Sequence, residues 1–118
     1  GWWIKPTILT DVNNEMRVCK EEIFGPVVGV QTFNTEEEAI RLANDTTYGL
    51  NAMLFTENVR RAHRVAGQLR AGTVWVNCFF IRDLRAPFGG FGDSGIGREG
   101  GKYSKEFFTE PKAVVMKL

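Results

Sequence analysis

Residues 52–76 read AMLFTENVRRAHRVAGQLRAGTVWV, and the change of period inside this stretch decides the fold class. Ala52-Met53-Leu54-Phe55 is a short apolar run of strand length. Thr56 or Asn58 then offers a side-chain oxygen to the unpaired N–H groups of a helix start. Val59, Ala62, His63, Ala66 and Leu69 recur at helical spacing, while Arg60, Arg61, Arg64 and Arg70 fall elsewhere around the helix. Gly72 stops the helix, and Thr73-Val74-Trp75-Val76, β-branched and aromatic, reads as the next strand.

The same alternation continues on both sides. Trp3 to Leu9 has strand composition, with Pro6 pushing it to an edge because proline cannot donate to a ladder. Asn14 to Glu22 suits a short helix, and Val27 to Phe33, opened by Gly25-Pro26, suits a strand. Thr35-Glu36-Glu37-Glu38 is a capping box, predicting a helix to about Asn44. On the other side, Tyr103 to Phe108 fits a helical turn, and Ala113 to Met116 fits a final edge strand. The order predicts an α/β fold, its helices packed on a mostly parallel sheet.

The chain has 118 residues and a formal net charge of +1, one domain's worth of length with no basic or acidic excess. That balance argues against a nucleic-acid or anionic-membrane partner. No apolar run approaches the roughly 20 residues of a membrane span. Gly1-Trp2-Trp3 has neither the basic start of a signal peptide nor an initiator methionine, which suggests a piece of a longer, cytoplasmic protein. Cys19 and Cys78 lack metal-ligand or C-x-x-C spacing, so no metal site or disulfide is indicated. His63, the only histidine, has no visible catalytic partner and is expected to be solvated or to pack in its helix.

Residues 90–100, GFGDSGIGREG, contain G-x-G-x-x-G twice. A dinucleotide loop must leave a buried strand and enter a helix, so that free N–H groups meet the pyrophosphate. Here the preceding Arg82-Asp83-Leu84-Arg85-Ala86-Pro87 is charged and broken by proline, which favours a tightly packed loop. Elsewhere, Glu21 and Glu22 beside Phe24 could accept bonds from a ribose diol, or could simply end a helix. Arg82 and Arg85 could fork onto a ligand carboxylate, or could pair with Asp83 at the surface. Cys78 follows a strand end, a good place for function, with no residue marking it as activated.

In order along the chain, EEIFGP (21–26), Asn44 with Tyr48-Gly49-Leu50, AGTVWVN (71–77), PFGG (87–90) and SGIGRE (94–99) resemble the C-terminal part of the aldehyde dehydrogenase superfamily. The match covers essentially all of the chain. The resemblance implies an NAD(P)-dependent enzyme that oxidises an aldehyde to an acid through a cysteine thiohemiacetal, hydride transfer and thioester hydrolysis. It gives Glu22 the nicotinamide-ribose hydroxyls, Phe24 a place near the nicotinamide, Phe88 a wall of the aldehyde tunnel, and Glu99 a proton-relay role. It also implies an Arg98–Glu110 ion pair and a C-terminal oligomerisation strand at about 111–118, hence a homo-oligomer. Arg82-Asp83-Leu84-Arg85 ahead of PFGG is similar to semialdehyde dehydrogenases of aromatic meta-cleavage, whose substrates, of 2-hydroxymuconic or 5-carboxymethyl-2-hydroxymuconic type, carry carboxylates. Arg82 is then the expected substrate anchor, Arg85 the second choice, and Cys78 a tunnel-lining residue that does not match the nucleophile. Gly92, where the family often has lysine, departs from the pattern. The nucleophile, general base and cofactor-phosphate residues match nothing in the chain, so cofactor and catalysis are expected to need the family's N-terminal cofactor-binding region. The chain alone is expected to be silent, with a structural or oligomerising module as the alternative. NAD and NADP are not distinguished by these residues.

Overall fold

A computed structural model describes residues 1–118 as two compact units, Gly1–Thr47 and Tyr48–Leu118. Each contains one strand–helix–strand crossover with parallel strands, the connection a parallel pair requires.

In the first unit, β1 (Thr7–Leu9) pairs with β2 (Val27–Gly29), Thr7 opposite Val27 and Leu9 opposite Gly29. The strand expected from Trp3 thus begins only after Pro6, and Trp2 and Trp3 are exposed. The crossover helix α1 is shorter than expected, Arg17–Lys20. Asn13 explains the late start: its Oδ1 accepts from the Glu15 N–H at 2.9 Å and its carbonyl from the Met16 N–H at 3.1 Å. A side chain that bonds its own following backbone offers a turn in place of a helix. The helix α2 (Glu36–Asn44) begins where the capping box placed it, with Thr35 Oγ1 accepting from the Glu38 N–H at 3.1 Å. The return bond is displaced by one residue, since Glu38 Oε2 accepts from the Asn34 N–H at 2.8 Å.

In the second unit, β3 (Asn51–Leu54) pairs with β4 (Thr73–Val76), Asn51 opposite Thr73 and Leu54 opposite Val76. Between them runs α3 (Val59–Ala66), capped by Asn58 Oδ1 on the Arg61 N–H at 3.0 Å. Thr56 supports that cap, its Oγ1 accepting from the Asn58 N–H at 3.2 Å. The buried member of α3 is Val65, absent from the expected stripe, whereas Val59 is 68% exposed. The packed face is therefore Ala62, Val65, Ala66 and Leu69, a strict i, i+3, i+4, i+7 set. His63 lies exposed on this helix. The helix ends at Gly67, ahead of the expected Gly72.

Gly72 has a different task. A Cβ there would run into the Gly89 carbonyl, so glycine is what lets these two backbone segments touch. Gly49, also buried, is where three segments meet: its N–H donates to Ser94 Oγ at 3.0 Å, and its carbonyl accepts from Gly72 at 3.0 Å and Phe91 at 2.9 Å. The glycine-rich stretch then makes a single 3₁₀ turn, Gly92–Ser94, and leads into α4 (Gly101–Phe108).

Two expectations are corrected. The parallel pairing is present, but as two separate two-stranded ladders rather than one sheet. Residues 113–116 form no strand: 109–118 carry neither helix nor ladder, because a strand exists only against a partner and neither ladder of the chain pairs with them. Val65 and Trp75 are the buried apolar side chains. No helix is long and apolar enough to cross a membrane.

Candidate functional site

The first unit presents Glu22 and Phe24 at the entrance to β2. Glu21, the C-terminal cap of α1, is held by Arg17 through a fork, Nε to Oε1 at 2.6 Å and Nη2 to Oε2 at 2.8 Å. Glu22 beside it is exposed and makes no bond within the chain. Of two adjacent carboxylates, one is thus internally neutralised and the other is open to a ligand. Phe24 adopts φ +53° with its side chain 92% exposed. A bulky residue in the left-handed region costs on the order of 1–3 kcal/mol, a pattern associated with ligand-binding positions. The turn is fixed from behind, since the Val27 N–H donates to the Gly25 carbonyl and the Thr7 N–H to the Pro26 carbonyl, both at 2.8 Å.

A polar junction without a local signature in the sequence braces this unit. Asn14 Nδ2 donates to the Leu42 carbonyl at 3.1 Å and to Asp45 Oδ2 at 3.0 Å, while its Oδ1 accepts from Gln31 Nε2 at 2.7 Å. Isolated asparagine and glutamine residues seventeen apart give no local signal of such a link.

In the second unit the site is built on the loop that leaves β4. Asn77 takes φ +55° and clamps Thr56 from both sides, its Oδ1 accepting from the Thr56 N–H and its Nδ2 donating to the Thr56 carbonyl, both at 2.8 Å. Asparagine tolerates this backbone region better than most side chains. Trp75 packs against Phe79 and Phe80, ring centres 5.7 and 5.9 Å away, and its Nε1 donates to the Ile81 carbonyl at 2.8 Å. The loop is thereby folded back under β4 and delivers Arg82 to the glycine-rich stretch.

There Phe88 and Glu99 form an isolated antiparallel bridge, each N–H donating to the other's carbonyl at 2.8 Å. The glycines between them close a loop whose stem carries both side chains. Arg82 meets both: Nη2 lies 3.1 Å from Glu99 Oε1, and Cζ lies 4.6 Å from the Phe88 ring centre. A neighbouring pocket of about 310 Å³ includes Leu50, Phe88, Ile96, Arg98 and Glu99 in its wall.

Other expected residues stand apart. Arg85 is turned onto Asp83, Nη2 to Oδ2 at 2.6 Å and Nε to Oδ1 at 3.0 Å, the surface pair that was its alternative reading. Cys78 is half-buried and free, and does not line the pocket by Phe88. Arg98 bonds the carbonyls of Gly90 at 2.8 Å and Gly97 at 2.6 Å and lies over Phe91, so the implied Arg98–Glu110 pair is not made. Both bonds come from Nη1 and tie the guanidinium to the glycine loop.

The hydrogen bonds from Arg85 hold the Asp83 carboxyl below the usual aspartate range, and those from Arg17 do the same to Glu21. A carboxyl whose pKa falls on folding adds stability above its unfolded pKa and loses that stability as pH falls through the folded value. Both local pairs are therefore expected to persist through the ordinary carboxylate range and to open only below it, with a smaller effect in high salt. Carbon-detected NMR titration should find both groups protonating below the values of short reference peptides; peptide-like values would contradict the pairing.

The model of the aldehyde dehydrogenase family matches residues 1–114. The 2-hydroxymuconic semialdehyde dehydrogenase of Pseudomonas putida is 58% identical over 118 residues, 100% of this chain and 24% of that protein. The 2-aminomuconic 6-semialdehyde dehydrogenase of a Pseudomonas species is 51% identical, again over 100% of this chain and 24% of the relative. Among solved structures, the indole-3-acetaldehyde dehydrogenase of P. syringae, in complex with NAD+ and IAA, superposes with a TM-score of 0.90 at 52% identity, covering 98% of this chain and 23% of that one. The chain spans about a quarter of the length of the curated relatives it matches.

Proposed function

Because this chain belongs to the aldehyde dehydrogenase family, we propose that it provides the ribose contact and the substrate anchor of an NAD-dependent enzyme oxidising a carboxylated semialdehyde to the acid. The observation that carries the reading is Arg82, placed over Phe88 with one N–H bonded and the others available. A guanidinium matches a carboxylate bidentately. The names of the two Pseudomonas relatives, both semialdehyde dehydrogenases of muconic type, support a substrate with such a group.

The residues of the first unit suit a nicotinamide nucleotide. Glu22 is an acceptor without an internal partner, as vicinal ribose hydroxyls require. Phe24 offers an exposed ring, held by a constrained backbone, against which a flat heterocycle can pack. NAD+, when bound, supplies the hydride acceptor. Phe88 is the apolar wall that orients the aldehyde and keeps water from it, whereas Cys78, away from the pocket by Phe88, takes no part in it. Arg85 is the weaker anchor candidate because Asp83 already occupies its fork.

The test uses a chimera in which this chain replaces the matching quarter of the P. putida 2-hydroxymuconic semialdehyde dehydrogenase. Glu22→Gln should raise the KM for NAD+ roughly tenfold, the scale of one weakened hydrogen-bond set, with aldehyde KM nearly unchanged. An unchanged NAD+ KM would remove Glu22 from the cofactor site.

A second proposal concerns residues 109–118. Val114, Val115, Met116 and Leu118 are at least 70% exposed and unladdered, as a segment that adds to a sheet edge of another copy would be. Light scattering of the chimera should give an oligomer that Val115→Lys weakens; an oligomer indifferent to that change would count against it.

A further inference from the structure

Glu99 touches the residues around the Arg82 guanidinium twice. Its backbone is bonded in both directions to Phe88, at 2.8 Å each way, and its Oε1 accepts from Arg82 Nη2 at 3.1 Å. Arg82 in turn lies over Phe88, with Cζ 4.6 Å from the ring centre. The three contacts close a ring: backbone to backbone, carboxylate to guanidinium, guanidinium to aromatic face.

That ring is not explained by stability. The side chains of Arg82 and Glu99 are 38% and 56% exposed, and an exposed pair with one hydrogen bond contributes little. Its effect is on direction. Arg82 sits on a loop outside any ladder, and a free arginine side chain has many rotamers to lose when it binds. Glu99 and Phe88 are the groups that limit them. Because Glu99 takes one of the two Nη2 N–H groups, the other remains to form a fork with Nε or Nη1 on a ligand carboxylate.

We infer that Glu99 is a positioning residue for Arg82, setting the preference for carboxylated over uncharged aldehydes by holding the guanidinium on the Phe88 ring. The inference rests on Arg82 being the substrate anchor. It differs from the proton-relay role that the family resemblance implies for Glu99. A relay needs a carboxyl that gains and loses a proton, whereas positioning needs only an acceptor oxygen, which glutamine also has.

The experiment compares Glu99→Ala, Glu99→Gln and Arg82→Ala in the chimera, measuring kcat and KM separately with 2-hydroxymuconic semialdehyde and with hexanal. Glu99→Ala should raise the KM for the carboxylated aldehyde about fivefold while changing kcat on either aldehyde little, and Glu99→Gln should recover most of that loss. Adding Glu99→Ala to Arg82→Ala should cost nothing further, because the two act through one contact. A large fall in kcat on both aldehydes for Glu99→Gln would overturn positioning in favour of a relay, as would equal KM losses on both aldehydes for Glu99→Ala in favour of a general structural role. Arg82→Ala falling equally on both aldehydes, or a parent chimera oxidising neither, would instead remove the anchor reading and the inference with it.

Discussion

Gly72→Ala is expected to destabilise the second unit by about 3 kcal/mol, the upper end of ordinary overpacking. The added Cβ would run into the Gly89 carbonyl, which is backbone and has no rotamer through which to retreat. Moving residue 72 instead would break its N–H bond to Gly49 at 3.0 Å and disturb the neighbouring Thr73–Asn51 register. Gly67→Ala is the control: a Cβ there meets the His63 carbonyl at 3.3 Å, and its φ of −69° suits alanine. Urea unfolding of the chimera should show a lowered midpoint with unchanged slope for Gly72→Ala and a small shift for Gly67→Ala. Equal midpoints would mean that the Gly72–Gly89 approach is not fixed. Function should fall with stability in the first variant, since Gly89 follows Phe88 directly.

Arg82→Ala is expected to lower kcat/KM for 2-hydroxymuconic semialdehyde roughly 100-fold, the scale of a lost charge-assisted pair of hydrogen bonds. Hexanal, with no carboxylate to meet, should lose no more than about threefold, through the missing contact with Phe88. Arg82→Lys separates charge from shape, since an ammonium keeps the former and cannot form the fork. It should recover only part of the loss. Arg85→Ala should be mild on both aldehydes, because Arg85 is bound to Asp83 through 2.6 and 3.0 Å contacts. Steady-state kinetics on both aldehydes distinguishes these outcomes. Equal losses on the two substrates for Arg82→Ala would place the carboxylate elsewhere.

The parts legible in the sequence are those whose physics is local. Thr35 and Asn58 cap their helices within three residues, so α2 and α3 begin where the residue pattern puts them. Thr73–Val76 is a strand by composition and by pairing. What the sequence hid depends on contacts between distant residues. The two ladders stay separate because each crossover pairs only with itself, which no periodicity reports. Residues 113–116 have strand composition without a strand to pair with. Val65 escaped notice because Val59 stands three residues before Ala62 as Val65 stands three after it, and the two are equally apolar.

At the site, residue types were readable and their pairings were not. Arg82 and Arg85 flank one aspartate in sequence, yet Arg85 takes Asp83 and Arg82 reaches seventeen residues to Glu99. The loop that makes this possible depends on positive φ at Asn77 and Phe80, and only the asparagine suggests such a turn by its chemistry. The glycines of residues 90–100, which invite a phosphate-loop reading, serve close approach at Gly90, against Ser94, and at Gly100, against the Ala86 carbonyl, and positive φ at Gly95 and Gly97.

The most direct test of the account is a crystal structure of the chimera with NAD+ and 2-hydroxymuconate, the product of the proposed reaction. The Glu22 carboxylate should lie within hydrogen-bond distance of the nicotinamide-ribose hydroxyls, and Arg82 should be forked onto a product carboxylate above Phe88. A ribose bound away from Glu22, with Arg82 bonded to Glu99 alone, would contradict it.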